Sequence, residues 1–325
     1  MYIDNYEQYL NIPYVKLHFT ARVEEACRLP RNKASALRGG VGQMMILQNC
    51  ILASGSRTDE DCCECSCREE CLVQRFLYTP VSVQPAFSAE KLSMGYLFEC
   101  ENYYEGFDAG EMFDFQVILF GKSRVYLNLL LQAVWALGQQ GLGKEKGRFS
   151  IVRILNSRKE DILCDGYGGM QIRKDRYYPE TFAGYAQFRM RQLQKNGCHG
   201  VLKFQTETDI RFRKERMLEF NMEAIVAALT RRAYLFNCFE GTDMDLDIFM
   251  EEMLSDLPQI CSQKVNQIQV KRFSSRQMSS MRLGGIKGEV WLDGLPGQLL
   301  PWLLAGEIMH IGKNTSFGFG RYRVF

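Results

Sequence analysis

The stretch HIGKNTSFGFGRYRVF, from His310 to Phe325, says most about the fold of this chain. Gly312, Gly318 and Gly320 allow backbone conformations with positive φ and a close approach to a ligand. Basic and aromatic side chains alternate with these glycines: Lys313, Phe317, Phe319, Arg321, Tyr322 and Arg323. The pattern predicts a loop that holds a phosphate backbone through its N–H groups, or, more simply, a turn that joins a helix to a strand.

Working outward, an apolar helix predicted from Pro296 to about Met309 precedes this loop, and a strand follows it. The first half of the chain closes in the same way, with the stretch GQQGLGKEKG from Gly138 to Gly147 and the β-branched run Phe149–Leu155. Each half is therefore predicted to end as a helix, a glycine-rich loop and a last strand.

Upstream of these endings, both halves predict a strand, a helix and two strands. In the first half, the first strand is an extended stretch from Tyr14 that includes Leu17–Val23, the helix is Ala34–Leu47, and the two strands are Tyr96–Glu101 and Met112–Phe120. The helix that begins the ending of this half runs from about Ser123 to Leu137. In the second half they are Val201–Thr206, Met217–Phe236, Val265–Ser274 and Ile286–Leu292, with an acidic helical insertion at Asp243–Leu257.

The order strand, helix, strand, strand, helix, strand is typical of the ferredoxin-like or RRM-type motif. The sequence thus predicts an α+β protein of two tandem ferredoxin-like domains with a C-terminal glycine-rich loop. We place the first domain at residues 1–156, with a cysteine-rich insertion at about 50–80. A connecting region at 157–195 and a second domain at 196–325 follow.

Length and composition agree with two compact domains, since the 325 residues are 46% hydrophobic and 24% charged. The longest apolar stretch, Val125–Leu137, is too short for a membrane span. The start MYIDNYEQYL lacks the basic and apolar regions of a secretory signal, so we expect a cytoplasmic protein. A net charge of +2 is too small to identify a partner by itself.

The chain has twelve cysteines, and in a reducing compartment such a number favours metal binding over disulfides. Cys62 and Cys65 form a C-x-x-C pair. With Cys50 and Cys71 they would complete a closed tetrahedral zinc site, which would order an insertion that has little apolar core. Cys63 and Cys67 leave the ligand set ambiguous, and reduced thiols or an iron–sulfur cluster are the alternatives.

Two apparent motifs are set aside. The stretch GQQGLGK, Gly138–Lys144, fits G-x-x-x-x-G-K, but Glu145 stands where a Ser or Thr would hold Mg²⁺, and the loop follows a helix. The acids of Asp243–Asp247 lack the glycine and glutamate of a calcium loop. Neither a nucleotide site nor a calcium site is predicted.

The C-terminal half resembles a known family in two segments, RQMSSMRLGGIKGEVWLDG (Arg276–Gly294) and LPWLLAGEIMHIGKNTSFGFGRY (Leu300–Tyr322). These segments are similar to the CRISPR-associated RAMP-superfamily endoribonucleases that process precursor RNA, the Cas6 family. The stretch LRGGVGQM (Leu37–Met44) and the cysteines after it resemble the subgroup with a cysteine-rich insertion. Members have two tandem ferredoxin-like domains, in agreement with the order of elements above.

The resemblance implies a metal-independent endoribonuclease that cuts CRISPR repeat RNA to give mature crRNA. In that chemistry the 2′-hydroxyl attacks the adjacent phosphate and leaves a 2′,3′-cyclic phosphate. His310 and Lys313 are the predicted catalytic residues, as proton-transfer group and phosphate cation. The alternative is a non-catalytic RAMP subunit that only binds crRNA in an effector complex. Partners would be repeat RNA or crRNA and CRISPR effector or adaptation proteins, without membrane or DNA.

The predicted RNA-binding residues lie on the strand pair and in the glycine-rich loop: Arg276, Arg282, Lys287, Gly312, Asn314, Thr315, Ser316, Gly318, Gly320 and Arg321. Many members of the family carry their catalytic histidine near the first helix, where this chain offers His18 on a strand and Gln43 in the helix. His310 could instead be a structural residue that caps its helix, and His199 is predicted in a solvated loop. The basic run Arg211–Arg216 is expected to be a solvated surface.

Overall fold

The fold is that of a computed structural model, which describes residues 1–50, 62, 64–78, 85, 93–166, 169–274 and 279–325. Within these ranges, only the backbone is described at residues 165–166, 169–170, 270–274 and 279–283. No helix of this described part is long and apolar enough to cross a membrane.

The first domain is built on an antiparallel sheet with two helices on one face. Its main elements are β1 (Pro13–Val23), α1 (Lys33–Asn49), β2 (Tyr96–Glu99), β3 (Met112–Phe120), α2 (Leu127–Gln140) and β4 (Phe149–Leu155). The strand order is β2-β3-β1-β4, so the first strand lies in the middle of the sheet. A short strand, Glu180–Thr181, adds to the start of β1.

Alternation along β1 decides which face of this sheet is covered. Val15, Leu17, Phe19 and Ala21 are buried against α1 and α2, as the period of two in a strand requires. The intervening side chains point to the opposite face. Helix α1 begins where the Asn32 side chain accepts a hydrogen bond from the backbone N–H of Ser35 at 3.1 Å.

The second domain repeats the arrangement with a much longer hairpin. Its main elements follow α3 (Phe182–Asn196) and are β5 (Val201–Thr208), α4 (Met222–Glu240), α5 (Leu246–Leu254), β6 (Ile260–Ser274), β7 (Ser279–Leu292), α6 (Leu300–Met309) and β8 (Tyr322–Val324). The antiparallel sheet has the order β6-β7-β5-β8, equivalent to that of the first domain. The predicted pair of ferredoxin-like folds is confirmed.

The two domains share a hydrophobic core. Tyr14, Leu97, Ile118 and Phe120, on the face of the first sheet away from α1 and α2, pack in one cluster with α3, α4, α6 and the second sheet. The remaining part of that face carries polar side chains. Because an apolar interface joins the domains, the residues that border it are held in fixed positions.

Several predicted bounds differ from the observed ones. The helix predicted from Met217 begins at Met222, since Asn221 caps it and a short hairpin of Arg211–Phe212 and Glu215–Arg216 precedes it. The region 157–195, predicted as a polar connection, contains the hairpin Leu163–Gly166 and Gly169–Ile172 and most of α3. The described part of the cysteine-rich insertion includes a helix, Leu72–Leu77. The domain boundaries remain predictions.

Candidate nucleic-acid interface

A cleft of about 1330 Å³ opens between the two domains. Its walls are the start of α1, the glycine-rich loop after α2, and the β6–β7 hairpin. Among the residues whose side chains the structure describes, five basic ones line the cleft against three acidic ones. The basic residues are Arg28, Arg31, Lys144, Lys146 and Lys287, and the acidic ones are Glu105, Glu145 and Glu207. The excess of cations suits a polyanion such as an RNA backbone.

The loop after α2 places two of these lysines through glycine geometry. Gly141 and Gly143 have φ of +91° and +80°, and a Cβ on Gly141 would lie 2.0 Å from the carbonyl oxygen of Lys146. The tight turn therefore requires glycine, and it leaves Lys144 and Lys146 exposed. The sequence reading rejected this stretch as a nucleotide loop and so missed that it lines the cleft. A glycine-rich loop with neighbouring lysines was the signal.

A buried lysine supports another part of the cleft wall. The Nζ of Lys33, at the start of α1, donates to the carbonyl oxygens of Asn102, at 3.1 Å, and Tyr104. Tyr103, held between these carbonyls, lines the cleft with 41% of its surface exposed. Burial and then the nearby Glu207 raise the pKa of the Tyr103 phenol, so it stays protonated and can donate a hydrogen bond.

The glycine-rich segment after α6 forms a joint between the domains. Gly318 has φ +84°, and a Cβ there would lie 2.7 Å from the carbonyl oxygen of Phe98 in the first domain. Gly320 has φ +72°, and a Cβ there would lie 1.8 Å from the carbonyl oxygen of Ile311. The close backbone approaches seen at these two glycines are made within the chain. Their predicted part in RNA binding stays a prediction.

The remaining residues of this segment differ in access. Asn314 has a left-handed backbone with φ +62°, and Thr315 and Ser316 are buried. Lys313 is exposed, and its backbone N–H donates to the carbonyl oxygen of Asp209 at 2.8 Å. Of the predicted loop contacts, the Lys313 ammonium group is therefore the one best placed to reach a phosphate.

One buried carboxylate links this segment to the first sheet. Glu99, 3% exposed, accepts from Lys16 Nζ at 2.9 Å and lies 2.9 Å from His310 Nε2 and 3.9 Å from Arg321 Nε. Arg321 also pairs with Glu101. Burial would raise the pKa of Glu99, but Lys16, His310 and Arg321 together hold that pKa well below its ordinary value. Glu99 is thus an anion that fixes two cationic side chains.

His310 is fully buried in this junction. Its Nδ1 lies 3.0 Å from the carbonyl oxygen of Phe319, and its Nε2 faces Glu99. Both partners accept hydrogen bonds, so only a protonated ring donates to both. Burial lowers the pKa of the imidazole, while the hydrogen bond to Glu99 opposes that shift. The ring is 0% exposed and its two nitrogens face protein acceptors, and the predicted catalytic role of His310 stays a prediction.

His18 occupies a different position. It lies on β1, paired with Gln116 and Leu155, and is half-buried on the polar part of the first sheet. Burial, followed by Lys16 and Arg321, lowers its pKa, so its imidazole is neutral at pH 7. A neutral, partly accessible imidazole next to a cation can accept a proton. His199 is exposed in the loop after α3, as predicted.

The other predicted contacts fall on the hairpin. Lys287 lines the cleft. Arg276 lies outside the described residues, and for Arg282 only the backbone, on β7, is described. In the basic run, Arg213 pairs with Glu223 at 2.7 Å and Arg216 with Asp209 at 3.1 Å, which fits the expected surface role.

The four predicted zinc ligands are all among the described residues: Cys50, Cys62, Cys65 and Cys71. Within the part of the chain that is described, no group of three or more His, Cys, Asp or Glu side chains is arranged to hold a metal ion. Cys63 and residues 51–61 lie outside that part. The geometry does not gather the four thiols, and zinc stays a prediction.

The fold and cleft define a class, a protein of two ferredoxin-like domains with a basic cleft between them. Residues 202–322 match the family model described as CRISPR-associated endoribonuclease Cas6, and residues 12–177 match AF_1859_N, described as an N-terminal domain. The Cas6 endoribonuclease model thus covers the second domain of the chain. No curated protein matches the sequence significantly.

Solved structures share the fold at low identity. A product complex of the Thermus thermophilus Cas6 protein TTHB231 superposes with a TM-score of 0.53 at 11% identity, covering 96% of this chain and 99% of that one. A Cas6-RT-Cas1–Cas2 complex and a partial form of it match equally well, at 11% identity and over 97% of this chain. The chain spans only 29% and 46% of those two chains.

Proposed function

We propose that this chain is an endoribonuclease that cuts CRISPR repeat RNA without a metal ion. The 2′-hydroxyl beside the scissile phosphate attacks phosphorus, and the bond to the 5′-oxygen breaks. The products are a 2′,3′-cyclic phosphate and a 5′-hydroxyl. One group must take the proton of the 2′-hydroxyl, and another must protonate the leaving oxygen. The observation that carries the proposal is the basic cleft, in a chain whose residues 202–322 match the Cas6 endoribonuclease model.

We assign the RNA backbone to the cleft and the glycine-rich segment beside it. Arg31, Lys144 and Lys287 stand on three different walls of the cleft, so a strand passing through it meets cations on each side. Lys313 is exposed on the segment that follows α6. Charges fixed at the phosphate stabilise the extra negative charge of the transition state, which supports a mechanism that relies on side-chain cations.

For proton transfer, we propose His18 in place of His310. The argument is access, since a general base must come within hydrogen-bond reach of the proton that it removes. His310 is fully buried, whereas His18 is only half-buried, and Lys16 and Arg321 are among the charges that act on it. The lowered pKa of His18 also keeps its imidazole in the form that accepts a proton at pH 7.

Three histidine variants test this assignment on the cognate repeat RNA, in excess chelator and under single-turnover conditions. We expect His18→Ala to slow cleavage by about 10²–10⁴-fold with an unchanged melting temperature. His310→Ala should lower stability by about 1–3 kcal/mol, because it leaves a buried anion short of a partner. His199→Ala, at an exposed site, is the matched control. Cleavage by His18→Ala at the parental rate would refute the assignment.

The alternative function, a crRNA-binding subunit without cleavage, gives a different outcome in the same assay. The parent protein would then bind the repeat RNA and leave it intact. The scarcity of accessible histidines is the observation that keeps this alternative in view.

A structural zinc at the cysteine-rich insertion remains a proposal that rests on the C-x-x-C spacing of Cys62 and Cys65. Elemental analysis of the purified protein that finds neither zinc nor iron would end it. We also propose a cytoplasmic setting and CRISPR effector or adaptation proteins as partners. The Cas6-RT-Cas1–Cas2 complex, which shares this fold, supports the adaptation proteins as partners.

A further inference from the structure

The second sheet has one open face, of which the proposed site uses only Lys287. Leu202, Phe204, Val290 and Val324 turn inward and are buried in the shared core. Their neighbours along β5, β7 and β8 point the other way and are exposed or half-exposed. This open face of the sheet is available for a ligand.

A row of charges crosses all four strands of this face. In the register of the sheet, Lys264 on β6 lies opposite Glu289 on β7, and Glu289 lies opposite Lys203 on β5. Lys203 in turn lies opposite Arg323 on β8. Lys203 Nζ lies 2.8 Å from Glu289 Oε1. Since one carboxylate stands among three cations, the row keeps a net positive charge.

An apolar row lies beside it. Trp291 on β7 is opposite Val201 on β5, and Val201 exchanges backbone hydrogen bonds with Phe325 at 2.9 and 3.1 Å. The three side chains therefore share the open face. Trp291 is half-exposed, and 42% of Phe325 is exposed. Aromatic rings next to cations on an open sheet face can stack on bases while the cations hold phosphates.

The open face is continuous with the cleft. Lys287 and Ile268 line the cleft, and Lys287 lies on the same face of β7 as Glu289 and Trp291. Trp291 is four positions along the strand from Lys287, which at about 3.3 Å per residue is a distance of about 13 Å. A strand that leaves the cleft can thus pass the charged row and reach the tryptophan.

We propose that this face binds single-stranded RNA that flanks the segment in the cleft. Trp291 stacks on a base, and Lys264 and Arg323 contact phosphates. The inference rests on the proposed function only in taking RNA as the ligand. It assigns the unpaired flank of the substrate to a surface that takes no part in the cut.

Tryptophan fluorescence tests this directly, because the chain has three tryptophans. Trp302 is fully buried, and Trp135, 47% exposed, lies on α2. In a Trp135→Phe parent, we expect the 12-nucleotide oligouridylate to quench Trp291 to saturation. Trp291→Ala should weaken binding of this oligonucleotide about 5-fold or more, and Trp291→Phe should restore most of the affinity. A saturating titration without quenching would overturn the proposal.

The charged row gives a second, independent measurement. Lys264→Ala and Arg323→Ala should each weaken oligouridylate binding and lower its salt dependence. Lys195→Ala, at an exposed position near the end of α3, should change neither. Cleavage of a repeat RNA trimmed of its flanks should be unaffected by Trp291→Ala. If the trimmed repeat is cut and the row variants bind oligouridylate like the parent, this inference fails alone. If no repeat RNA is cut but oligouridylate still quenches Trp291, the proposed function fails alone.

Discussion

At the scale of single residues, Glu99 shows how one carboxylate can join two domains. It belongs to β2 of the first domain, and it holds Lys16 from the same sheet together with His310 and Arg321 from the glycine-rich segment. The free energy of desolvating this anion is offset by the three partners. Loss of the charge would leave those partners without their common acceptor.

The lowered pKa of Glu99 gives a prediction with a definite sign. A carboxyl group whose pKa is lower in the folded than in the unfolded state stabilises the fold above its ordinary pKa of about 4.5. That contribution is lost as the pH falls through the folded-state value. Glu99→Gln should therefore destabilise the protein most at pH 7, and the difference from the parent should shrink under acid conditions.

Urea unfolding of both proteins from pH 7 to pH 3 measures this difference. Glu25→Gln, in an exposed pair with Arg148, should change the free energy of unfolding by less than about 1 kcal/mol at any pH. A difference between Glu99→Gln and the parent that is the same at every pH would show that the charge is not what stabilises the junction.

His310 shows the limit of sequence reasoning at this scale. Its position beside a glycine-rich loop led to the prediction of a catalytic role, and that prediction used only neighbouring residues. The buried ring faces Glu99, which is 211 positions away in the sequence, and the carbonyl oxygen of Phe319. Local pattern identifies a residue type at a loop, whereas access to solvent is fixed by tertiary packing.

At the scale of elements, the glycine-rich segment after α6 acts as a joint. Its short helical turn, Thr315–Phe317, lies against β2 and α1 of the first domain. Positive φ at Gly312, Gly318 and Gly320 lets the chain reverse closely enough to reach that contact. The segment therefore sets the position of Lys313 and Arg321 relative to the cleft.

Gly318 and Gly294 form a matched pair for testing this joint. A methyl group on Gly318 would meet the carbonyl oxygen of Phe98 at 2.7 Å on a left-handed backbone, whereas at Gly294 nothing lies within 4 Å. We expect Gly318→Ala to cost about 1–2 kcal/mol or more, and Gly294→Ala to stay within about 0.5 kcal/mol. Chemical denaturation gives both values, and equal effects would contradict the close contact.

Helix α3 is the element that the sequence reading missed. It begins at a Thr181 cap, and its buried residues Phe182, Ala183, Ala186 and Leu193 follow helical spacing, so the signal was present. Polar residues elsewhere on the helix concealed it. One of them is buried: Arg189 pairs with Glu307 of α6 at 3.1 Å. A buried ion pair cannot be read from composition.

At the scale of the whole molecule, the duplicated order of elements was sufficient to predict the fold. Strand and helix periods report which face of each element is buried, and the ferredoxin-like order follows from them. The cleft was not predicted, because Arg31, Lys144 and Lys287 come from three distant parts of the chain. The fold of the first domain brings Arg31 near Lys144, and packing of the second domain adds Lys287.

The central claim is that the cleft holds repeat RNA for attack by its own 2′-hydroxyl. The most direct measurement is cleavage of two cognate repeat RNAs in excess chelator, one all-ribose and one with a single 2′-deoxy nucleotide before the cut. We expect one cut in the first RNA, with a 2′,3′-cyclic phosphate end, and none in the second, which should bind equally well. Cleavage of the deoxy RNA at an unchanged rate, or a requirement for added metal, would contradict the claim.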